Sequence, residues 1–495
     1  MIKGEPAGHA IVWLRRDLRI ADNPALHAAV ESGAPVACLF ILEEGRSSRA
    51  IGAAARWWLH GSLETLARNL DKRGGRLVLL RGDPLRIFTE ICAAAKPTAA
   101  FWDRRYDAPG IEADMAIKAM LTAQGVRCES FNGSLLNEPW EVKSAAGGPM
   151  RVFTPYWKAA RARLDPAQPL AAPRRINGAP WPDAAAIRPV TLESLSLRPA
   201  RPDWAAGFPR WWKPGEDGAR ERLAEFLDDS LRGYAQDRDR PARPATSRLS
   251  PHLAFGDISP RQIWSAARHH ADATGGPGLQ RDVEKFLAEI GWREFSYHLL
   301  FHNPDLATEN FQKRFDALGW RTDGKALRAW RKGQTGYPIV DAGMRQLWAS
   351  GWMHNRVRMV VASFLIKHLL IDWREGERWF WDTLADADAA NNPASWQWVA
   401  GTGADAAPYF RIFNPVLQGE KFDPDGAYVR EWVPELARMP DKFIHQPWKA
   451  PKAILAEAGV VLDKTYPAPI VDHAAARARA LDAFAALKAQ GSAEP

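Results

Sequence analysis

Residues 386–398 read DADAANNPASWQW and gather two acids (Asp386, Asp388), two amides (Asn391, Asn392) and two indoles (Trp396, Trp398). Acids and amides can hold the polar edge of a ring system, and indoles can lead away from it. That combination suits a redox cofactor better than an ordinary apolar core. The stretch reads as a loop running into a helix. Side chains four apart on a helix share a face, and side chains two apart point nearly opposite ways. Asn392 and Trp396 are therefore expected on one side and Trp398 on the other.

Three further stretches carry polar groups at helical spacing. In FLAEIGWREF, Phe286, Glu289, Trp292 and Arg293 fall on one stripe. A carboxylate among aromatics needs a partner. It is read either as one half of a Glu289–Arg293 ion pair or as the wall of a pocket offering an indole, a carboxyl and a guanidinium. In GWMHNRVRMVVASFL, Trp352, Asn355, Arg358 and Met359 share a face and read as the lining of a binding site. In TSRLSPHLAFGDISPRQ, Thr246, Ser247 and Ser250 precede one proline-started helix and Ser259 precedes another. Hydroxyls there are ordinary N-caps, and with free N–H groups they can also hold a phosphate. Arginines interleave with aromatics at Arg238, Arg240, Arg243, Arg293, Arg356, Arg358 and Arg411, with Lys421 nearby. Such mixtures are solvated surface or a groove for nucleic acid and an exposed base. His298 and His302 are four apart, but HLLFH lacks the glutamate of the zinc-protease pattern, and no metal is expected.

These groups need a scaffold, and 495 residues with 46% hydrophobic content supply more than one core. Residues 9–131 alternate strand-like runs (AIVWL, VACLFIL, RLVLL, AAFW, VRCESF) with helical ones, which predicts a parallel sheet with helices on both faces. No G-x-G-x-x-G follows the first strand. LRRDLRIADNP stands there instead, so a dinucleotide held in the usual manner is not expected in this domain. Residues 144–202 form a proline-rich connector with one short helix at TPYWKAARARL. From about 216 to 460 the pattern is helical throughout, and an Ala-rich helix is expected beyond 472. The fold class is thus an α/β N-terminal domain with a five-stranded parallel, Rossmann-like sheet, plus a larger all-α domain, joined by a long connector. The expected divisions are 1–135, 136–215, 216–472 and 473–495.

The formal net charge of +8 hints at a polyanionic partner. Three scattered cysteines, Cys38, Cys92 and Cys128, fit a reducing compartment without disulfides. VVASFLIKHLLI is short and broken by Lys367 and His368, so it reads as a buried helix rather than a membrane span. The N-terminus has no apolar run of signal-peptide length. A cytoplasmic monomer is expected. Sixteen of the 23 tryptophans lie between Trp204 and Trp448, many beside Arg, Asn or Asp.

Long ordered strings across nearly the whole chain resemble the photolyase/cryptochrome family, specifically its bacterial cyclobutane-pyrimidine-dimer photolyases. They are WLRRDLRIADNPAL, TSRLSPHLAFGDISPRQ, EIGWREFSYHL, the segment from TGYPIVDAGMRQLW through HLLIDWREGERWF, and that from DADAANNPASWQWVAGTG to REWVPEL. The resemblance implies a bent FAD buried in the helical domain. Tyr234, Thr246, Ser247, Arg248, Leu249 and Ser250 would hold its phosphates and ribityl chain. Arg358, Asp386, Asp388 and Asn392 would surround the isoalloxazine, with Asn392 near its reactive nitrogen. Glu289 would hydrogen-bond the damaged pyrimidines, Trp292 and Trp398 would pack on them, and Asn355 and Met359 would lie beside them. Trp320, Trp373 and Trp396 would carry electrons to the flavin from the surface. Arg238, Arg293, Arg356 and Arg411 would bind DNA.

The activity so implied is light-driven splitting of pyrimidine dimers in UV-damaged DNA, a carbon–carbon lyase reaction on a flipped-out lesion. The N-terminal domain would hold an antenna chromophore. Folate-binding members carry an Asn-Glu pair after their YE segment. RRYDAPGIEAD stands here, with Pro109 and Gly110 near that point, so a deazaflavin or a flavin enters beside folate. Phe286 stands where many relatives have tryptophan. The rival is a blue-light-sensing cryptochrome that binds FAD without repair. Asn392, where plant-type receptors carry Asp, and the roughly 35 residues after Val460 favour the enzyme. A flavin-independent DNA-binding protein fits the Glu289, Trp292, Asn355 and Met359 set less well. A (6-4) photoproduct enzyme would show a second histidine in GWMHNR.

Overall fold

The five apolar runs near the N-terminus become five parallel strands in order β3-β2-β1-β4-β5: β1 Ala10–Leu14, β2 Val36–Glu43, β3 Leu77–Gly82, β4 Ala99–Asp103 and β5 Arg127–Phe131. Position in the sheet follows composition. AIVWL is buried at every residue and runs down the centre, whereas RCESF is partly exposed and forms an edge. The structure is a computed structural model that describes residues 8–44, 49–164, 168–405 and 411–491, the side chains only as far as residue 487.

The helices between the strands are α1 Pro24–Glu31, α2 Ala53–Asp71, α3 Pro84–Ala95 and α4 Ala108–Ala123. Three start on an Asn or Asp whose side chain accepts a first-turn N–H, followed by proline within two residues: Asn23, Asp83 and Asp107. This is the chemistry that begins helices cleanly. Trp13 stands edge-on to Phe88 and Trp102 in the core beneath.

Beyond the sheet lie α5 Phe153–Arg163, α6 Glu216–Asp229, α7 Tyr234–Asp237, α8 Ser250–Phe255, α9 Pro260–Thr274 and α10 Leu279–His302. They are followed by α11 Gly324–Arg331, α12 Pro338–Ser350, α13 Asn355–Ser363, α14 Trp373–Thr383, α15 Asn391–Ala400, α16 Pro415–Phe422, α17 Ala427–Trp432, α18 Asp441–Ile444, α19 Lys452–Ala458 and α20 His473–Gly491. No strand is found beyond β5 among the described residues.

The chain divides into two compact units. The first comprises Met1–Met150, Thr154–Arg232 and Ser247–Pro304; the second comprises Arg151–Phe153, Gly233–Thr246 and Asp305–Pro495. In the first unit, the loop after β1 is filled by its own guanidinium groups. Arg15 bonds Asp114 and the carbonyl of Asp103, and Arg19 donates to the carbonyls of Asp22, Gly133 and Gly256. The second unit has one large apolar core. There α13 runs on into a single π-turn, Phe364–His368. Lys367 in that turn is buried and donates to the carbonyl of Ala400 at 2.8 Å, capping α15, while burial drives its pKa well down. No helix among the described residues is long and apolar enough to cross a membrane.

Candidate functional site

In the second unit, α14 and α15 pack through two adjacent residues, Gly376 and Glu377. A Cβ at Gly376 would lie 2.0 Å from Cη2 of Trp396, so only glycine lets the indole lie there. Trp396 is buried, edge-on to Phe380 at 5.0 Å and to Trp330 at 6.2 Å. One turn earlier on the same face of α15, the buried Asn392 donates through Nδ2 to Oε1 of Glu377 at 2.8 Å and to its backbone carbonyl at 3.1 Å. Its Oδ1 accepts no bond among the described residues. Trp398 is half-buried, and its Nε1 donates to the carbonyl of Asp405 at 3.1 Å.

The loop ahead of α15 is held from both ends. Asp388 accepts the N–H groups of Ala390 and Asn391 and the amide of Asn391, which anchors the helix start. Asp386 takes a two-pronged ion pair from Arg358 at 3.2 and 2.7 Å. Arg358 is fixed further by a bond to the carbonyl of Met353. Two parallel N–H···O contacts give a directional pair.

The helix bearing Arg358 begins one turn later than spacing alone suggests. His354 caps it, its Nδ1 accepting the N–H of Arg356. Burial pushes this imidazole down to about 3, which keeps it neutral with a lone pair for that role. Trp352 therefore precedes the helix rather than sharing its stripe, yet its ring lies 6.0 Å from the Arg358 guanidinium. Asn355 is exposed and Met359 half-buried.

Arg356 reaches Asp239 at 2.8 Å and covers the Phe422 ring at 4.4 Å. With Arg240, Arg411, Lys421 and Phe413 it lines an open groove of about 630 Å³ within this unit. Tyr234 is buried beneath the guanidinium of Arg238, 5.3 Å away. Trp373 is fully buried and donates to Asn310 at 2.8 Å, and Trp320 packs against the core that holds Trp373 and Trp396.

In the first unit, Ser247 supplies its carbonyl to Arg222 and its hydroxyl to the Leu249 N–H. Arg248 sits in the left-handed region at φ 51°. Ser259 builds a complete capping box with Gln262, whereas Ser250 is the first residue of its helix rather than the cap. On α10, Trp292 is half-buried, and Glu289 has its carboxylate 3.9 Å from Lys285.

Arg293 departs from the ion-pair expectation. It pairs with Glu294 at 3.8 Å rather than with Glu289, donates to the carbonyl of Ser134 at 2.7 Å and covers Tyr297 at 4.8 Å. At 8% exposure its guanidinium is largely buried. Beside it, Glu294 accepts the N–H groups of Leu136 and Asn137, and burial pushes its carboxyl up to about 7.

Sequence spacing pointed to the α15 residues and not to their counterparts on α14. The signal was present in WREGERWF. A glycine within a helix costs about 1 kcal/mol against alanine, so close packing is the usual reason for it.

Two family models cover most of the chain: "DNA photolyase" over residues 10–174 and "FAD binding domain of DNA photolyase" over residues 286–486. The chain is 53% identical over 484 residues to the deoxyribodipyrimidine photo-lyase of Agrobacterium fabrum (strain C58), covering 97% of this chain and 98% of that protein. It is 39% identical to cryptochrome-1 of Arabidopsis thaliana, over 97% of this chain and 70% of that one. The crystal structure of a bacterial class III photolyase from Agrobacterium tumefaciens superimposes with a TM-score of 0.94 at 52% identity, with 99% of each chain covered. The chain belongs to the photolyase/cryptochrome family. Its sheet domain and its FAD-binding helical domain have the fold of that family's DNA photolyases.

Proposed function

We propose that this protein is a deoxyribodipyrimidine photo-lyase that repairs cyclobutane pyrimidine dimers in UV-damaged DNA under blue light, as a cytoplasmic monomer. What carries this reading is its likeness, at 53% identity over 98% of that protein, to a protein of that name, against 39% over 70% of the cryptochrome.

The second unit's residues suit FAD. A buried amide keeps an acceptor oxygen uncommitted at Asn392, and a fixed cation–carboxylate pair stands at Arg358 and Asp386. Asp388 holds the loop between them. Tyr234, Thr246, Ser247, Arg248, Leu249 and Ser250 are assigned to the phosphates and ribityl chain. These residues would hold the flavin, and the chemistry it would supply when bound is light-driven one-electron transfer.

The chain's own part is to extrude, orient and shield. Flipping costs a few kcal/mol, and stacking of roughly 1–3 kcal/mol per base offsets it. Trp292 and Trp398 are assigned to the stacking, Glu289 to hydrogen-bonding the pyrimidines, and Asn355 and Met359 to their flank. Arg238, Arg356 and Arg411 are assigned to the DNA backbone, while Arg293 is assigned to structure. Trp320, Trp373 and Trp396 are assigned to recharging the flavin. Residues 1–135 are assigned to an antenna chromophore (deazaflavin, folate or flavin) and 216–472 to FAD and DNA.

The test is an absorption spectrum of the purified protein followed by blue-light repair of a thymine-dimer oligonucleotide. Flavin bands with repair are expected. Flavin bands without repair would favour a receptor, and a colourless protein that cannot be reconstituted would overturn the reading. Glu289→Ala is expected to lower repair per absorbed photon.

A further inference from the structure

Two arginines of α13, two residues apart, are held in opposite ways. Arg358 grips Asp386 through two contacts, at 3.2 and 2.7 Å, and the Asp386 side chain is 3% exposed. Such a pair is directional and shielded from water. Arg356 meets Asp239 through one contact, at 2.8 Å, with side chains 21% and 36% exposed. The guanidinium is otherwise laid over the Phe422 ring at 4.4 Å, with Nη1 3.7 Å from the sulfur of Met359. Its Nε is buried and bonds nothing among the described residues. Partly exposed ion pairs of this kind contribute little in water, so this one opens readily.

Among the described residues lining the groove, Asp239 is the one carboxylate, against the cations Arg240, Arg356, Arg411 and Lys421. It lies just beyond α7, 117 residues before its partner, so tertiary structure alone brings the two together. A negative charge in a basic groove repels phosphate and lowers affinity for DNA. Its place there calls for a reason.

We propose that Asp239 is a positioning residue for release, a tethered stand-in for a DNA phosphate. Arg356 leaves it to bind DNA and returns to it as repaired DNA departs. This rests on the reading that Arg356 binds the DNA backbone. Carboxylate and phosphate oxygens accept the same guanidinium hydrogen bonds, so the two compete for one donor. Asp239 competes at an effective concentration set by its own tether, whatever the amount of DNA. The product of repair is intact DNA, so an interaction that tightens intact DNA slows the next turnover. Asp239 keeps that interaction weak.

The experiment uses the flavin-loaded full chain, a duplex carrying one thymine dimer and the same duplex without it. Wild type, Asp239→Asn and Asp239→Glu are compared, the first two also in an Arg356→Ala background. Dissociation constants for both duplexes are measured in the dark. Repair is followed under saturating light, in a single turnover and with substrate in excess. Asp239→Asn is expected to bind the intact duplex about two- to fivefold more tightly, the equilibrium equivalent of an exposed ion pair. Turnover with excess substrate is expected to slow by a like factor, while repair per absorbed photon in a single turnover stays at the wild-type level. Asp239→Glu keeps the carboxylate and is expected to behave as wild type. The Asp239 side chain is 36% exposed, so asparagine fits there without repacking a core.

Unchanged or weaker binding of the intact duplex by Asp239→Asn would overturn the proposal. So would tighter binding with unchanged turnover, or an Asp239→Glu that behaves like Asp239→Asn. Equal tightening in the Arg356→Ala background would overturn it too, since the carboxylate would then act on DNA directly and not through Arg356. If Arg356→Ala alone binds both duplexes as wild type does, the assignment of Arg356 to the DNA backbone falls, and that result is visible before any Asp239 variant is made.

Discussion

Arg293 and Arg358 stand in motifs that look alike on paper, each an arginine on a helical stripe with a tryptophan and a polar partner. Their surroundings separate them. Arg293, in the first unit, is spent on the carbonyl of Ser134, on Glu294 and on Tyr297. Arg358, in the second, is a quarter exposed and fixed by Asp386 and Met353, so its charge is oriented and still presented. The same contrast runs through both units. Arg15 and Arg19 are consumed by carbonyls and a carboxylate around the sheet, whereas Arg356 lines an open groove. Buried polar groups must find partners. A polar group that tertiary structure fixes while leaving one end open is the better candidate for chemistry.

The largest expected effect comes from Glu294, the buried carboxyl beside Arg293. Its pKa in the folded protein is raised from 4.5 to about 7, so between those values the native state binds more protons than the unfolded chain. Stability must then fall as pH rises through that window and level off above it. Glu294→Gln is expected to be more stable than wild type at pH 8 by about 3 kcal/mol, taking 1.36 kcal/mol per unit. That gap is expected to close toward pH 4.5 in urea titrations. A gap independent of pH would mean that this unit hides no ionisable cost.

Next comes Gly376→Ala, whose new methyl group would meet the Trp396 ring. Overpacking of this kind costs about 1–3 kcal/mol. Gly324→Ala, in a helix where the nearest atom is a flexible Arg328 nitrogen 3.6 Å away, is expected to be neutral or stabilising. Equal urea midpoints for the two variants would show that the α14–α15 contact is looser than drawn.

The smallest effect, a change of salt slope, is the sharpest for the comparison. Arg356→Ala is expected to weaken binding of dimer-containing DNA uniformly and to reduce the salt slope by about 1. Arg293→Ala is expected to leave that slope unchanged while lowering stability by about 1–3 kcal/mol through unpaired buried groups. If the slope falls for Arg293 as well, its guanidinium leaves the interior to meet phosphate.

The apolar runs were legible as strands because a parallel sheet buries both of its faces, so AIVWL and VACLFIL need no alternation to be recognised. The pairing of Asn392 with Trp396 on one helix face was legible because helical period is local. The start of α13 at Asn355 was not. It depends on a neutral, buried His354 acting as the cap, and burial is a property of the fold rather than of the string. The fate of Arg293 was hidden for the same reason, since Ser134 lies 159 residues away.

The sequence by itself determined the order of elements, the family, the helix that carries Asn392 and Trp396, and a tryptophan-rich second half. Those features are set by local period, capping chemistry and long specific strings. Only tertiary structure decided which polar atoms are used up and which stay open. It placed Gly376 and Glu377 against α15, tied the Asn392 amide nitrogen to Glu377 and drew Arg293 inward. Hydrogen-bond satisfaction is settled between residues distant in sequence, and a spacing along one helix holds no information about what packs against its face.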